Sequence, residues 1–253
     1  MLAKIVEKNG KLEYNPYICT MKVQVIGDIH GRRKWEKLVD KTCDQIIFIG
    51  DYVDAYDVDN ETIIDNLLNI IDLKRKNEDK VTLLLGNHDV QYMFMPDYRC
   101  SGFRPEVASE IQTIFNDNRN LFKIAHQIDM NLFTHAGVTK QWFKWTKDKL
   151  EYYGLNKDLT NIAETLNNMN ETANRWMLNN VGEPRGGLRY DCGGPTWADK
   201  KETWFGALPK LTQFVGHTPV ADIHDNGASD EETGTITYCD VLAKLDKTLI
   251  TEL

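Results

Sequence analysis

Five short apolar runs in this chain each end at a side chain that can bind a metal ion. Four of the five candidate ligands have a glycine directly before them. A strand that stops at a glycine lets the next residue turn out over the end of a sheet, and open α/β sheets bind ligands at the carboxyl ends of their strands. The pattern therefore predicts an α/β fold with a metal site at its strand ends. The runs are Val23–Ile26 before Asp28, Ile46–Ile49 before Asp51, Val81–Leu85 before Asn87, Asn131–Thr134 before His135, and Leu211–Val215 before His217.

Helical and strand patterns alternate over the first half of the chain. Apolar residues at positions 63, 64, 67, 68 and 71 recur with a helical period, which predicts a helix over Asn60–Lys76 with Asn60 as its N-cap. Two C-terminal segments, Thr235–Val241 and Thr248–Thr251, are predicted to pair as antiparallel strands. Further helices are predicted at Arg32–Lys41, Pro105–Phe115 and Leu121–Ala125.

The length of 253 residues suits a single α/β domain over residues 1–253, and no linker divides it. The Asn9-Gly10 dipeptide, between alternating residues, predicts an N-terminal β-hairpin within residues 1–20. Residues 139–181 are polar and helical in pattern, so we expect a helical insertion there. The sequence leaves two roles open for this insertion: a solvated helical outcrop or a cap that faces the substrate.

Charge, apolar run length and cysteine pattern argue against a nucleic-acid partner, a membrane span and an oxidising compartment. The net charge of −8 argues against a nucleic-acid polymer as partner. No apolar stretch approaches the 18 residues of a membrane span, and the first twenty residues lack a secretory signal pattern. Five scattered cysteines, none spaced as C-x-x-C, indicate a reduced, cytoplasmic chain.

The candidate ligands suit a pair of metal ions. Asp28 and His30 point the same way if the segment is extended, so both can reach one ion. The two oxygens of Asp51 can bridge two ions. Nitrogen and oxygen ligands without thiolate suit manganese, iron or zinc, with manganese as our first choice among divalent or trivalent ions. Two ions about 3.5–4 Å apart form a clamp for displacement at phosphorus.

Five sequence blocks, in this order, resemble the calcineurin-like metallophosphoesterases, and specifically their phosphoprotein-phosphatase branch. This branch includes Ser/Thr protein phosphatases, small phage and bacterial phosphatases, and symmetrical dinucleoside tetraphosphate hydrolases. Pro219 stands where the superfamily's nucleases and purple phosphatases carry a histidine, which favours this branch. The resemblance implies a β-sandwich flanked by helices in four αββα layers. The blocks are Gly27-Asp28-Ile29-His30-Gly31, Gly50-Asp51-Tyr52-Val53-Asp54, Gly86-Asn87-His88-Asp89, His135-Ala136-Gly137 and Gly216-His217-Thr218.

The resemblance also implies roles for single residues. His88 would be the general acid that protonates the leaving oxygen, and Asp54 would orient it. A hydroxide bridging the two ions would attack the phosphorus. The first ion would be held by Asp28, His30 and Asp51, and the second by Asp51, Asn87, His135 and His217.

Two expected phosphate-binding arginines are missing. Ala55-Tyr56 stands where the branch carries Arg-Gly, and Asp199 stands where we expect a second arginine. The bidentate fork of arginine has no equivalent in lysine. Arg185 and Arg189, in the glycine-rich loop Gly182–Gly194, are the candidate replacements.

The substrate stays open between alternatives. Hydrolysis of phosphate monoesters, with phosphoprotein, small phosphoester or nucleotide as substrate, is the first hypothesis. The segment Thr134–Val138 looks more like the dinucleoside tetraphosphate hydrolases, whereas the segment Gly216–Pro219 looks more like the small phosphatases. An inactive scaffold is a third alternative, against which the intact ligand set with His88 and Asp54 argues. The sequence does not indicate an oligomeric state.

Overall fold

Two five-stranded sheets form the centre of the protein in a computed structural model that describes residues 5–8, 11–14, 20–228 and 232–253. Strands β1 (Ile5–Lys8) and β2 (Lys11–Tyr14) precede them and pair antiparallel. This pair lies where the hairpin is predicted, and the expected turn residues Asn9 and Gly10 lie outside the described residues.

The first sheet has a parallel centre. Strands β3, β4, β5 and β6 run parallel to one another, and β12 pairs antiparallel with β3 at the edge. All four residues of β5 are buried, as expected for a strand covered on both faces. The strands are β3 (Lys22–Ile26), β4 (Gln45–Phe48), β5 (Val81–Leu84), β6 (Phe122–Lys123) and β12 (Leu249–Glu252).

The second sheet has the order β10-β11-β9-β8-β7. Its three central strands, β11, β9 and β8, are parallel, and both edge strands are antiparallel to their neighbours. The carboxyl ends of four parallel strands in the first sheet and of three in the second are therefore available to build a site. The strands are β7 (Ala125–Ile128), β8 (Asn131–Thr134), β9 (Thr212–Val215), β10 (His224–Asp225) and β11 (Thr235–Tyr238).

Helices cover the outer faces of the two sheets. Residues 139–181 contain α5, α6 and α7, and two short 3₁₀ turns occupy Arg119–Leu121 and Glu183–Arg185. Within the described residues, none of the helices combines the length and apolar character that crossing a membrane requires. The helices are α1 (Trp35–Leu38), α2 (Asn60–Lys76), α3 (Asn87–Met93), α4 (Ala108–Asp117), α5 (Lys140–Tyr152), α6 (Ile162–Asn170), α7 (Arg175–Leu178) and α8 (Lys200–Gly206).

Three apolar clusters define the layers. One lies between the sheets and contains residues of both, among them Ile47, Phe133 and Phe214. A larger cluster packs the other face of the first sheet against α2, α3 and α4, and a third packs α8 against the second sheet. This order of helices, sheet, sheet and helices confirms the predicted four-layer fold.

Helix α2 has the predicted bounds, but its N-cap is Asp59. The Asp59 carboxylate accepts a hydrogen bond from the backbone N–H of Thr62 at 2.8 Å, which satisfies one of the free donors of the first turn. Asn60 is already helical, and its side chain binds Arg104 instead. The prediction of Asn60 as cap was wrong by one residue.

The predicted helix at 121–125 is wrong. Residues 122–123 form β6, and β7 begins at Ala125. Phe122 and Ile124 are buried whereas Lys123 is exposed, and this alternation is typical of a strand.

The predicted C-terminal strand pair is also wrong. β11 pairs parallel with β9, and β12 pairs antiparallel with β3, so the two strands belong to different sheets. Both have strand character, but each forms its backbone hydrogen bonds with a strand of a different sheet.

Candidate metal centre

Side chains from both sheets meet where the parallel strands end. Asp28 and His30 follow β3, Asp51 and Asp54 follow β4, and Asn87 opens α3 after β5. From the second sheet, His135 follows β8 and His217 follows β9. The structure brings all the predicted ligands to this one region.

Asp51 lies at the centre of the cluster. Its Oδ2 atom is 3.3 Å from His135 Nε2 and 3.7 Å from His30 Nε2. Its Oδ1 atom accepts a hydrogen bond from the backbone N–H of His88 at 3.0 Å. Burial alone would raise the pKa of Asp51, but His135 and His88 outweigh burial and lower it. The carboxylate therefore stays charged between histidines of two different strands.

Asn87, His135 and His217 form the second half of the cluster. His135 Nε2 is 3.0 Å from Asn87 Oδ1 and 3.2 Å from His217 Nδ1. Ligand atoms of Asp51, His135 and His217 all lie within 4.8 Å of one another, and so do those of His30, Asp51 and His88. Two overlapping groups thus share Asp51.

Two histidines are oriented by backbone carbonyl groups. His135 Nδ1 is 3.0 Å from the carbonyl oxygen of Ile49, and His30 Nδ1 is 2.7 Å from that of Asp54. A ring nitrogen beside a carbonyl oxygen carries the hydrogen and donates it, so Nε2 is the nitrogen of each ring that faces the cluster. Metal-binding histidines are oriented in this way.

Glycines before the ligands make room for carboxylates. Both oxygens of Asp28 lie 3.0 Å from the backbone nitrogen of His217. A Cβ atom added to Gly216 would lie 2.0 Å from Asp28 Oδ1, and one added to Gly86 would lie 2.0 Å from Asp51 Oδ1. The glycines are required by the close approach of a neighbouring carboxylate, as well as by the end of the strand.

Four site residues have left-handed backbone conformations. The φ angles are 46° at His30, 52° at Asp51, 62° at Asp54 and 63° at His217. Residues other than glycine adopt such angles rarely, and they do so most often at functional sites where surrounding contacts hold them.

His88 and Asp54 form an ion pair beside the cluster. His88 Nδ1 is 3.0 Å from Asp54 Oδ2. The other oxygen of Asp54 accepts from the Tyr92 hydroxyl at 2.5 Å, and Gln91 donates to Oδ2. Burial would lower the pKa of His88, but Asp51 and Asp54 raise it to about 12. Asp54 therefore holds the His88 ring in a fixed orientation and favours its charged form.

A family profile described as calcineurin-like phosphoesterase matches residues 21–230, which is most of the chain. The chain belongs to the calcineurin-like phosphoesterase family. Membership makes it a metal-dependent phosphoric ester hydrolase that acts on phosphorylated substrates, and it confirms the resemblance seen in the five blocks. A comparison with curated protein sequences gave no significant match.

Two solved structures are similar to this calcineurin-like phosphoesterase. A protein serine/threonine phosphatase from Saccharomyces cerevisiae has a TM-score of 0.51 and 17% identity, covering 94% of this chain and 81% of that chain. A metallophosphoesterase from Sphaerobacter thermophilus has a TM-score of 0.40 and 14% identity, covering 88% and 77% of the two chains. The similarity to the yeast phosphatase supports the fold.

Arg185 approaches the site of this phosphoesterase from the glycine-rich loop. Its Nη2 atom donates to Thr218 Oγ1 at 2.7 Å, next to His217 in the chain. Its Nε atom lies 2.6 Å from Asp199 Oδ2. Asp199 is the residue that stands where the sequence comparison leads us to expect an arginine. After burial and His135, the charge of Arg185 is a further cause of the lowered pKa of His217.

The other arginines have different surroundings. Arg189 is exposed, and its guanidinium lies 4.8 Å from the ring centre of Tyr190. Arg104 binds the backbone carbonyl groups of Ala55 and Val58, so it braces the loop that follows Asp54.

Two buried carboxylates were missed by the sequence reasoning. Asp89 accepts hydrogen bonds from the backbone N–H groups of Asp51, Tyr52 and Gly86 at 2.7–2.9 Å. It fixes the loop that presents Asp51, and burial followed by the charge of Asp51 raises its pKa to about 7. Asp240 follows β11 and is 3% exposed. Two sequence features could have predicted them: Asp89 lies in the third block, and Asp240 lies near the end of a predicted strand.

A cleft of about 220 Å³ opens beside the cluster. It is lined by His30, Asp54, His88 and Asp240 among others, and it reaches Tyr56 at its rim. The Tyr56 side chain is 86% exposed. A substrate can therefore reach His88 from the side of Ala55 and Tyr56, which stand where the family carries Arg-Gly.

The residues present fit a pair of cations. Asn87 Oδ1, His135 Nε2 and His217 Nδ1 lie 3.0–3.2 Å from one another, so three atoms that can bind a cation face one point. Carboxylate, amide and imidazole donors surround Asp51, and their chemistry matches the oxygen- and nitrogen-ligated ions on which this family depends.

Proposed function

We propose that this protein is a dinuclear-metal phosphomonoesterase, with phosphoproteins as the first substrate class. The observation that carries the proposal is the position of Asp51 Oδ2, 3.3 Å from His135 and 3.7 Å from His30. One carboxylate shared by histidines of two sheets suits a bridging ligand. The ion pair of His88 and Asp54 beside it supplies an acid.

Each cation would have its own ligands, and manganese is our first choice, with iron or zinc as alternatives. Bound cations would supply positive charge for the phosphoryl oxygens and a water of lowered pKa as nucleophile. The first ion would take Asp28, His30 and Asp51, and the second Asp51, Asn87, His135 and His217.

His88 would deliver a proton to the leaving oxygen. Its Nδ1 atom pairs with Asp54, so Nε2 is the nitrogen available to the substrate. Asp54 is itself held by Tyr92 and Gln91. This second set of contacts limits rotation of the carboxylate and therefore of the imidazole ring.

Arg185 would bind a phosphoryl oxygen in place of the missing arginines. Its ion pair with Asp199 and its hydrogen bond to Thr218 direct the side chain toward His217. Asp199 stands where the family carries an arginine, and it binds Arg185, which comes from the glycine-rich loop. Arg185 would thus take the place of the missing arginine. The exposed Arg189 is the weaker candidate.

The role of His88 is tested with p-nitrophenyl phosphate and added manganese. We expect His88→Ala to lower turnover by about 10² or more, because a general acid is lost. His224→Ala is the control, since His224 lies outside the cluster beside Lys200 and Trp204, and it should keep its rate. An undiminished rate in His88→Ala would remove this residue from the mechanism, and no turnover of the wild type with any divalent metal would favour the scaffold.

The two arginines are compared by steady-state kinetics. We expect Arg185→Ala to raise the KM for p-nitrophenyl phosphate about tenfold, because a charge-assisted hydrogen bond to the phosphate is lost. Arg189→Ala should have the smaller effect. The reverse order would identify Arg189 as the phosphate anchor.

The substrate class is tested with a panel of phosphopeptides, dinucleoside tetraphosphates, nucleotides and phosphodiesters. We expect the highest kcat/KM for phosphopeptides. A preference for dinucleoside tetraphosphates would assign the protein to the other activity of its branch, and a preference for diesters would refute the monoesterase.

We place this activity in the cytoplasm. The cysteines at positions 43, 100, 192 and 239 are free, which supports a reducing compartment. Fractionation of the cells that make the protein would test this placement.

A further inference from the structure

A thiol lies against the proposed general acid. Ligand atoms of Cys100, His88 and Asp54 all lie within 4.8 Å of one another. Cys100 is partly accessible, whereas Cys43, Cys192 and Cys239 are buried. This cluster contains the sulfur donor that the neighbouring metal centre lacks.

The loop that presents Cys100 is fixed by the residues that hold Asp54. The backbone N–H of Cys100 donates to Gln91 Oε1 at 3.2 Å, and the backbone N–H of Arg104 donates to the Tyr92 hydroxyl at 2.8 Å. Gln91 and Tyr92 also donate hydrogen bonds to Asp54. The same two side chains therefore set the relative positions of thiol, imidazole and carboxylate.

An ion can reach this cluster from solvent. His88, Asp54, Ser101 and Gly102 all line the cleft. A Cβ atom added to Gly102 would lie 3.3 Å from Asp54 Cβ, so the loop passes closely over the carboxylate.

We propose that Cys100, His88 and Asp54 form a separate, inhibitory site for zinc or a similarly thiophilic divalent cation. One thiolate, one imidazole and one carboxylate are three of the four ligands of a tetrahedral zinc ion, and water completes the set. A sulfur ligand favours zinc over manganese, which prefers oxygen. The thiolate thus distinguishes the Cys100 cluster from the Asp51 cluster, whose ligands are nitrogen and oxygen atoms.

Occupation of this site would stop the proposed proton transfer. The cation uses His88 and Asp54, so His88 can no longer act as an imidazolium hydrogen-bonded to Asp54. Coordination releases the thiol proton of Cys100 and a proton of His88 to solvent. The inhibitory effect rests on the proposed function of His88, but binding of the cation does not.

Cobalt provides a readout that is independent of activity. Cobalt bound to a thiolate has a near-ultraviolet charge-transfer absorption that the nitrogen and oxygen ligands of the Asp51 cluster do not produce. We expect this absorption when cobalt is added to the wild type and to Cys192→Ala, in which a buried cysteine is changed. We expect it to be lost in Cys100→Ala. Absence from the wild type, or persistence in Cys100→Ala, would overturn the site.

Zinc inhibition is then measured on the manganese-loaded enzyme, with each variant compared with its own zinc-free rate. We expect the zinc concentration for half-inhibition to rise by about tenfold or more in Cys100→Ala and to stay unchanged in Cys192→Ala. Equal inhibition of Cys100→Ala and wild type would overturn the inhibitory role. If no variant turns over p-nitrophenyl phosphate while the cobalt absorption still depends on Cys100, the proposed phosphatase function fails and the metal site stands.

Discussion

Close approach at single glycines decides which carboxylates enter the metal centre. Asp28 and Asp51 lie in the space that a side chain at Gly216 or Gly86 would fill. The sequence marks these glycines only as strand ends, because nothing local shows that a carboxylate from another strand occupies the space beside them. Asp89 was missed for a similar reason, since its three backbone donors come from two separate loops.

Gly216→Ala should weaken metal binding. The added methyl group would overlap Asp28 Oδ1, so the carboxylate or the strand must shift. We expect the affinity for manganese to fall about tenfold or more, with a parallel loss of turnover, measured by calorimetric titration of metal-stripped protein. Gly206→Ala is the matched control, because a Cβ atom there has no neighbour within 4 Å. An unchanged manganese affinity in Gly216→Ala would contradict this account of the glycine.

At the scale of elements, periodicity predicted long helices better than short strands. Helix α2 has seventeen residues and a continuous apolar face, so its helical period can be recognised from the sequence alone. β6 and β7 are two and four residues long, too short for a period to distinguish them from a helix. The prediction that β11 and β12 pair with each other also failed. They are neighbours in sequence, but β11 pairs with β9 and β12 pairs with β3, in different sheets.

His126 in β7 should make the fold sensitive to acid. Burial, assisted by the charges of Lys123 and Lys74, lowers the pKa of His126 to about 4 from its usual 6.5. The folded state therefore binds fewer protons than the unfolded state, so stability is complete above pH 6.5 and is lost as the pH falls toward 4. We expect His126→Phe to reduce this loss by at most about 1.4 kcal/mol per pH unit.

The measurement is urea unfolding of wild type and His126→Phe at neutral pH and near pH 5. His126→Gln is the control for removal of the titrating group without added apolar surface, and both variants should show the same reduced pH dependence. A pH dependence equal to that of the wild type in both variants would exclude His126 as a source of acid sensitivity.

At the scale of the whole molecule, the metal centre joins the two sheets. Asp28, His30 and Asp51 come from the first sheet, whereas His135 and His217 come from the second. A ligand that binds all of them stabilises the packed arrangement of both sheets. The prediction that residues 1–253 form one domain agrees with this shared site and stays a prediction.

Removal of metal should therefore lower global stability. At a free manganese concentration of 100 times Kd, we expect a gain of about 2.7 kcal/mol in the free energy of unfolding over protein in chelator. Denaturation with and without manganese measures the difference. The gain should be largely lost in Asp51→Asn and kept in Asp148→Asn, whose side chain is exposed on α5. Equal gains in both variants would argue against metal binding at Asp51.

The sequence by itself determined the family, the αββα class and the residues that gather at the strand ends, because strand-ending glycines and ligand types are local and ordered along the chain. Only the tertiary structure decided that Arg185 pairs with Asp199, that Asp240 joins the cleft and that Cys100 lies against His88. These residues lie 12 to 210 positions apart in sequence, from Cys100 and His88 to Asp240 and His30, and such separations close only when both sheets and their loops pack.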